Sequence, residues 1–234
     1  PFAFGLFCTL LNHTWVPSVE AYHTKLDTLI EYKEGVFPED NPHSSSDHAF
    51  TYGSGESYGL EFFIKQRLRK TTGWIGYTIA KTDRFFEDLN DGNSFPAKYD
   101  RTHDLSVTAT HELNDKWVLS AVFVYATGNT LTPSVDRYVL DGDLFTQFGD
   151  RNSYRMSPYH RMDISATYTP NKPNKKFNSS WNFSIYNIYN RANPYFIYFD
   201  VEGDGSLSDG ELEPKAFQIS LFPIIPSIAW NFNF

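Results

Sequence analysis

The sequence predicts an all-β fold, an antiparallel transmembrane β-barrel with short periplasmic turns and long extracellular loops. Three observations carry this: strict apolar–polar alternation, connections that take turns between short and long, and an aromatic content of 18%. With 21 Phe, 15 Tyr and 5 Trp against 2 Met and 1 Cys, the apolar residues suit strands and interfacial girdles better than a helical core. A mean hydropathy of −0.44 and the lack of any apolar run of 18 residues exclude a membrane-spanning helix. They leave a barrel open, because a barrel strand needs only roughly 10 residues and every second one can be polar.

Working back from the C-terminus, the pattern yields nine strands, at about 3–10, 16–33, 53–67, 72–82, 101–111, 117–127, 159–169, 180–199 and 215–234. In the third, Tyr58, Leu60, Phe62 and Ile64 alternate with Glu61, Lys65 and Arg67 on the other side. Leu105, Val107 and Ala109 alternate with Asp104, Ser106, Thr108 and Thr110. Trp117, Leu119, Ala121, Phe123 and Tyr125 form a further stripe, and Met162, Ile164, Ala166 and Tyr168 alternate with Arg161, Asp163, Ser165 and Thr167. Trp181, Phe183 and Ile185 interleave with Asn182 and Ser184. The last stretch holds apolar residues on odd numbers at Phe217, Ile219 and Leu221, then on even numbers at Ile228, Trp230, Phe232 and Phe234. That switch of parity predicts a bulge at Pro223–Pro226, the irregularity that proline requires inside a strand.

Short polar turns fall near Leu11–Trp15, Leu68–Thr72, Glu112–Lys116 and Pro170–Ser179, and structureless loops are expected at 34–52, 83–100, 128–158 and 200–214. Loops this long are uncommon in compact soluble domains, and the short–long rhythm is that of outer-membrane barrels. Most Asp and Glu lie in the long loops, while Arg67, Arg69, Lys70, Lys116, Lys172, Lys175 and Lys176 mark the turns. The net charge of −8 argues against nucleic acid as a partner. The single Cys8 excludes an intrachain disulfide. No basic segment with a cleavage site precedes the first strand, so a targeting signal is expected upstream of Pro1.

Asp104-Leu-Ser-Val-Thr and Asp163-Ile-Ser-Ala-Thr recur at equivalent points of two strands, placing both carboxylates in the lumen near the outer rim, where hydrogen bonding to neighbouring strands is the expected role. The terminal Trp230-Asn-Phe-Asn-Phe234 resembles the signal by which outer-membrane barrels are recognised for insertion, carried by Trp230, Phe232 and Phe234. Further segments, in order, are similar to the barrel of TonB-dependent outer-membrane receptors, in the branch with an N-terminal carboxypeptidase-regulatory-like domain. They are Ser18-Val-Glu-Ala-Tyr22, Leu29-Ile-Glu-Tyr-Lys33, Tyr58-Gly-Leu-Glu61, Gly73-Trp-Ile-Gly-Tyr-Thr78 and Tyr99-Asp-Arg-Thr-His-Asp-Leu105. Tyr159-His-Arg-Met-Asp163, Tyr186-Asn-Ile-Tyr-Asn-Arg191 and Leu221-Phe-Pro-Ile-Ile-Pro226 complete the set.

The resemblance implies a 22-stranded barrel around a plug, with import driven by TonB. Residues 1–234 would form one partial barrel domain, the last nine strands, with the plug and the earlier strands on another chain or missing. The implied location is the bacterial outer membrane, and the implied partners are its lipid, TonB through the plug, the barrel-assembly machinery and a capping surface lipoprotein.

Two sets of residues are candidates for binding. Tyr138, Phe145, Phe148 and Tyr154 place aromatic side chains in the longest loop, as a ligand contact would require. Asp200-Val-Glu-Gly-Asp-Gly-Ser-Leu-Ser-Asp-Gly-Glu211 follows the twelve-residue calcium-loop pattern, with oxygen donors at Asp200, Glu202, Asp204, Ser206, Ser208 and Glu211 and a turn at Gly205. Its departures are Glu202 at the third position and flanking strands in place of helices, so a metal-free acidic hairpin tip is the competing reading. Calcium is the only cofactor the sequence suggests.

No catalytic set is found. The seven His lack metal-ligand spacing, His43 and His48 sit in a Ser-rich loop, and neither a nucleophile elbow nor a phosphate loop occurs. Asn12-His-Thr14 and Asn178-Ser-Ser180 match glycosylation acceptors but lie in expected periplasmic turns. The rival readings are a small self-closing barrel of eight to ten strands acting as anchor or adhesin, and a secreted all-β hydrolase or lectin.

Overall fold

The computed structural model describes residues 1–11, 14–34, 49–140, 143–170, 178–201 and 214–233. In chain order the strands are β1 (Phe2–Phe7), β2 (Trp15–Tyr32), β3 (Phe50–Leu68), β4 (Thr71–Phe85), β5 (Phe95–Pro96), β6 (His103–Glu112), β7 (Trp117–Ala126) and β8 (Thr130–Leu131). There follow β9 (Ser134–Leu140), β10 (Asp143–Phe148), β11 (Tyr154–Arg155), β12 (Tyr159–Tyr168), β13 (Asn178–Tyr186), β14 (Pro194–Val201), β15 (Pro214–Ser220) and β16 (Ile225–Asn233).

Nine of these form one antiparallel meander in the order β1-β2-β3-β4-β6-β7-β12-β13-β16, with β5 attached to β4. The expected nine strands and their order are therefore present. The sheet is open, since β1 and β16 lie at opposite ends of that path, so the described residues do not form a self-closing small barrel.

The register makes one face apolar from edge to edge. Phe4 is opposite Ala21, Ala21 opposite Leu60, and Leu60 opposite Ile79. Further along, Val107 pairs Phe123, Phe123 pairs Met162, Ala166 pairs Phe183 and Phe183 pairs Ile228. Since Cβ direction alternates along each strand, the opposite face collects the remaining residues. There Thr72, Thr110, Ser120, Ser165, Ser184 and Ser227 form a continuous row of hydroxyls across six strands. Thr110 and Ser120 are hydrogen bonded at 3.1 Å, and Ser184 and Ser227 at 2.7 Å.

Aromatic residues bound the apolar face at both ends. Near the short turns stand Trp117 against Tyr168, with centroids 4.8 Å apart, and Trp181 against Trp230 at 5.7 Å. Near the long connections stand Tyr58, Tyr77 and Tyr125, with His23, His103 and His160 stacked or tilted against them. From Trp117 to Tyr125 is roughly 27 Å of strand at ~3.4 Å per residue, or ~20 Å of height at a tilt near 40°, close to the ~25 Å apolar band of outer-membrane barrels.

Conventional core is scarce. Among the described residues the buried hydrophobics are Phe86, Leu89, Phe95, Ala97, Ala126 and Met156, most of them in connections, whereas Ile228 on the apolar face is 68% exposed and Trp230 50%. A continuous apolar sheet face of this extent is untenable in water and calls for an apolar covering.

Two expectations are corrected. The strands expected at 180–199 and 215–234 are each broken in two: β13 and β16 belong to the main sheet, while β14 and β15 form a separate ribbon. The breaks have a backbone cause. Asn187, Asn190 and Phe222 take positive φ, and residues 221–224 belong to neither strand, so the change of parity reflects a corner between two sheets rather than a bulge within one strand. The loops expected to be structureless also carry structure. The span 128–158 holds the hairpin β9–β10 and the bridge β8–β11, and 83–100 includes the end of β4, a 3-10 turn at Asn90–Gly92 and β5.

Candidate functional site

The long connections fold over the polar face at one end of the sheet. Leu29 follows a register shift in β2, which turns its side chain to the polar side opposite Gly53. There it packs on the buried Phe86, Leu89 and Phe95, with the Phe86 and Phe95 rings stacked at 6.0 Å. Gly53 is required at this point, because a Cβ would lie 2.3 Å from the Phe85 carbonyl oxygen and 2.5 Å from the Phe86 ring. Thr51 Oγ1 donates to Asp88 at 3.0 Å and ties the segment to β3.

A buried carboxylate fixes the next connection to this one. Asp100 accepts the Thr82 amide at 2.8 Å and Arg155 Nη2 at 2.6 Å, while Arg155 Nη1 donates to the Asp100 and Gly128 carbonyls at 2.7 and 2.9 Å. Charge-assisted bonds of this kind are the stronger class. Thr130 Oγ1 donates to the Ala97 carbonyl at 2.9 Å and ties residues 97–102 to 127–131. Farther round the mouth, Glu31 accepts from Arg84 at 3.0 Å and faces Arg151 at 3.5 Å.

A second node forms where β13 and β16 leave the main sheet. Arg161 donates to Asp163 and to the Tyr159 and Tyr186 hydroxyls, and its guanidinium lies 4.0 Å from the Tyr186 ring centroid. Asp163 Oδ1 also accepts the Asn187 amide at 2.9 Å. Asn187, 1% exposed, donates through Nδ2 to the Arg191 and Phe222 carbonyls at 3.0 and 3.2 Å, and Asn193 clasps both backbone groups of His160.

Between these nodes lies a cavity of about 700 Å³. Glu31, Lys98, Arg101 and Arg151 supply its charges, and Tyr99, Tyr159, Tyr195 and Phe196 its aromatic wall. Its volume lies within the range of small-ligand sites. A hollow of about 630 Å³ also occurs on the apolar face over Ala109, Ala121 and Ala166, but its hydrocarbon walls offer almost no polar group to orient a ligand, and it belongs to the apolar belt.

Residues 12–190 match the protein family described as TonB dependent receptor-like, beta-barrel. The chain belongs to that family. No curated protein matches the sequence. Among solved structures, the ferric-catecholate import receptor Fiu from E. coli K12 in its closed form aligns with 99% of this chain at a TM-score of 0.58 and 12% identity, a likeness of fold. The chain spans 27% of that receptor.

As part of a TonB-dependent receptor-like barrel, the motifs of the sequence acquire places. Tyr159–Asp163 and Tyr186–Arg191 meet in the corner node, and Tyr99–Asp104 runs from the cavity wall into β6. Asp163 has the strand-linking role expected of it, and Asp104 faces Arg101 at 3.8 Å. Of the aromatic residues expected to touch ligand, Tyr138 and Phe145 are register partners in the hairpin β9–β10. Phe148 at the end of that hairpin and Tyr154 in the bridge to β8 are about half exposed. Neither Phe148 nor Tyr154 is among the residues that line the cavity, and the side chains of Tyr138 and Phe145 lie outside what the structure describes. Of the calcium loop, Asp200 pairs with Lys215 in the β14–β15 ribbon, while Glu202, Asp204, Ser206, Ser208 and Glu211 lie outside the described residues, as does Phe234. Trp230 and Phe232 stack at 4.8 Å in β16.

The residues that do line the cavity went unread in the sequence as a set. Tyr99 sits at a strand entry, and Tyr195 and Phe196 fall within the strand expected at 180–199. The one available signal was the adjacent pair Tyr195-Phe196 directly after Asn193-Pro194, where a turn puts two aromatics at a strand start.

Proposed function

We propose that this chain forms part of the wall of a TonB-dependent importer in the bacterial outer membrane, and that the cavity among Glu31, Tyr99, Arg101, Arg151 and Tyr195 receives the ligand at the outer mouth. The observation that carries this reading is the division of the sheet. One face is apolar between two aromatic rows, and the other is polar, with a lined cavity at the long-connection end. Lipid would cover the first face, and a plug and further strands would meet the second and the two sheet edges.

The remaining partners belong to the same reading: TonB acting through the plug, the barrel-assembly machinery recognising Trp230, Phe232 and Phe234, and a surface lipoprotein over the mouth. Tyr138, Phe145, Phe148 and Tyr154 would then be loop contacts for the ligand or the cap. Calcium in the loop from Asp200 to Glu211 would brace the β14–β15 ribbon. Genetics of the full-length protein supplies the test. A strain lacking it and a strain lacking TonB should show the same growth defect on a limiting nutrient, with the double deletion no worse. Receptor-dependent uptake that survives loss of TonB would end the proposal.

A further inference from the structure

We propose that the outer cavity selects ligands carrying an anionic group on a ring that can lie against an aromatic face. This rests on the importer reading and adds to it the chemical class of the ligand.

The charged side chains that line the cavity are mostly of opposite sign to the chain. The protein as a whole carries −8, yet the cavity presents Lys98, Arg101 and Arg151 against the single carboxylate of Glu31. That carboxylate is shared, since both Arg84 and Arg151 lie against it at 3.0 and 3.5 Å. The guanidinium of Arg101 bonds Asn129 Oδ1 through Nε at 3.1 Å and has Asp104 only at 3.8 Å. Lys98 has no ion pair among the described residues, and its ammonium stands 5.8 Å from the centre of the Tyr99 ring. Among the described residues that line the cavity, positive charges therefore outnumber negative ones, in a concave site where the field is focused.

Three neutral polar side chains of the wall are engaged with the protein. Thr130 Oγ1 donates to the Ala97 carbonyl, Asn152 Nδ2 donates to the Pro96 carbonyl at 2.9 Å, and Thr132 Oγ1 accepts the Asn152 amide at 3.1 Å. A ligand recognised through uncharged hydroxyls would need such groups free. What the cavity chiefly offers a ligand is cationic side chains and the exposed rings of Tyr99, Tyr195 and Phe196, with the two phenol hydroxyls at their edges. Rings supply broad stacking area, and Arg or Lys supplies charge-assisted bonds to carboxylate or phosphate.

The test is binding to the full-length protein in detergent, read by saturation-transfer NMR with two matched pairs of probes, benzoate against benzamide and glucuronate against glucose. At least one acid should bind about tenfold or more tightly than its neutral partner, the benzoate arm indicating an aryl acid and the glucuronate arm a sugar acid. The Lys98→Gln/Arg101→Gln variant should weaken acid binding about tenfold, and added salt should weaken it in the parent protein. If loss of Arg101 impairs folding, judged by heat-modifiable mobility, Lys98→Gln alone should still weaken it about threefold. Neutral probes that bind as well as the acids, or acid binding unchanged in both variants, would overturn the inference. Because the readout needs no transport, retained acid binding with TonB-independent uptake would overturn the importer reading alone.

Discussion

Ile164 lies at the middle of the apolar face, four residues from His160 at one aromatic row and four from Tyr168 at the other, between Ala121 and Ile185 on the adjacent strands. Its neighbour Ser165 points the opposite way, into the hydroxyl row between Ser120 and Ser184. If hydrocarbon covers the apolar face, Ile164→Lys puts an ammonium at mid-membrane depth, which costs about 2–4 kcal/mol in barrels of this kind. At 1.4 kcal/mol per factor of ten, the folding equilibrium constant should fall by about 30-fold to about 700-fold relative to parent. Leu105→Lys, on the same face but level with Tyr77 and Tyr125, should cost only about 0–1 kcal/mol because it reaches the interface. Ser165→Lys faces the polar side and should also stay within about 1 kcal/mol. Folding of the full-length protein into vesicles, scored by heat-modifiable mobility across a urea series, separates the three. A face packed against protein would penalise Lys at both heights. Equal losses for Ile164→Lys and Leu105→Lys, or a larger loss for Ser165→Lys, would refute the assignment of the two faces.

Three further outcomes follow from the geometry. Asn187→Ala removes the side-chain bonds to Arg191 and Phe222 and leaves a non-Gly residue at φ +52, so the corner should weaken by about 2–3 kcal/mol, seen as faster proteolysis between 187 and 224; Asn187→Gly should recover only the backbone part. Gly53→Val meets the Phe85 carbonyl and the Phe86 ring, and should loosen the 86–100 connection by about 1–3 kcal/mol, measurable as increased hydrogen exchange at Asp88–Asn93 with the main sheet unchanged. Calorimetry of the full-length protein should show calcium binding at the loop from Asp200 to Glu211 with a Kd of roughly 10⁻⁴–10⁻³ M, abolished by Asp204→Ala; no calcium-dependent heat at millimolar concentration would remove the site.

The amino-acid sequence alone settled the strands of the main sheet, their antiparallel order and the division of their faces. Period-two alternation is a local property: Leu119, Ala121 and Phe123 declare one side of β7 wherever the strand is placed, and two-residue to four-residue turns such as Arg69–Lys70 leave only the adjacent strand as partner. The corner at Asn187 and Phe222 was harder to read, because a positive φ at Phe222 has no compositional mark and is held by bonds to residues up to 35 positions away. The cavity was decided by tertiary structure entirely. Glu31 at the end of β2, Lys98 and Arg151 in two connections and Tyr195 in β14 are far apart in the chain, and no period relates them. They meet because the Asp100–Arg155 pair and the Phe86 cluster draw those connections over the polar face, and such long-range bonds select among many loop arrangements that the local pattern leaves equal.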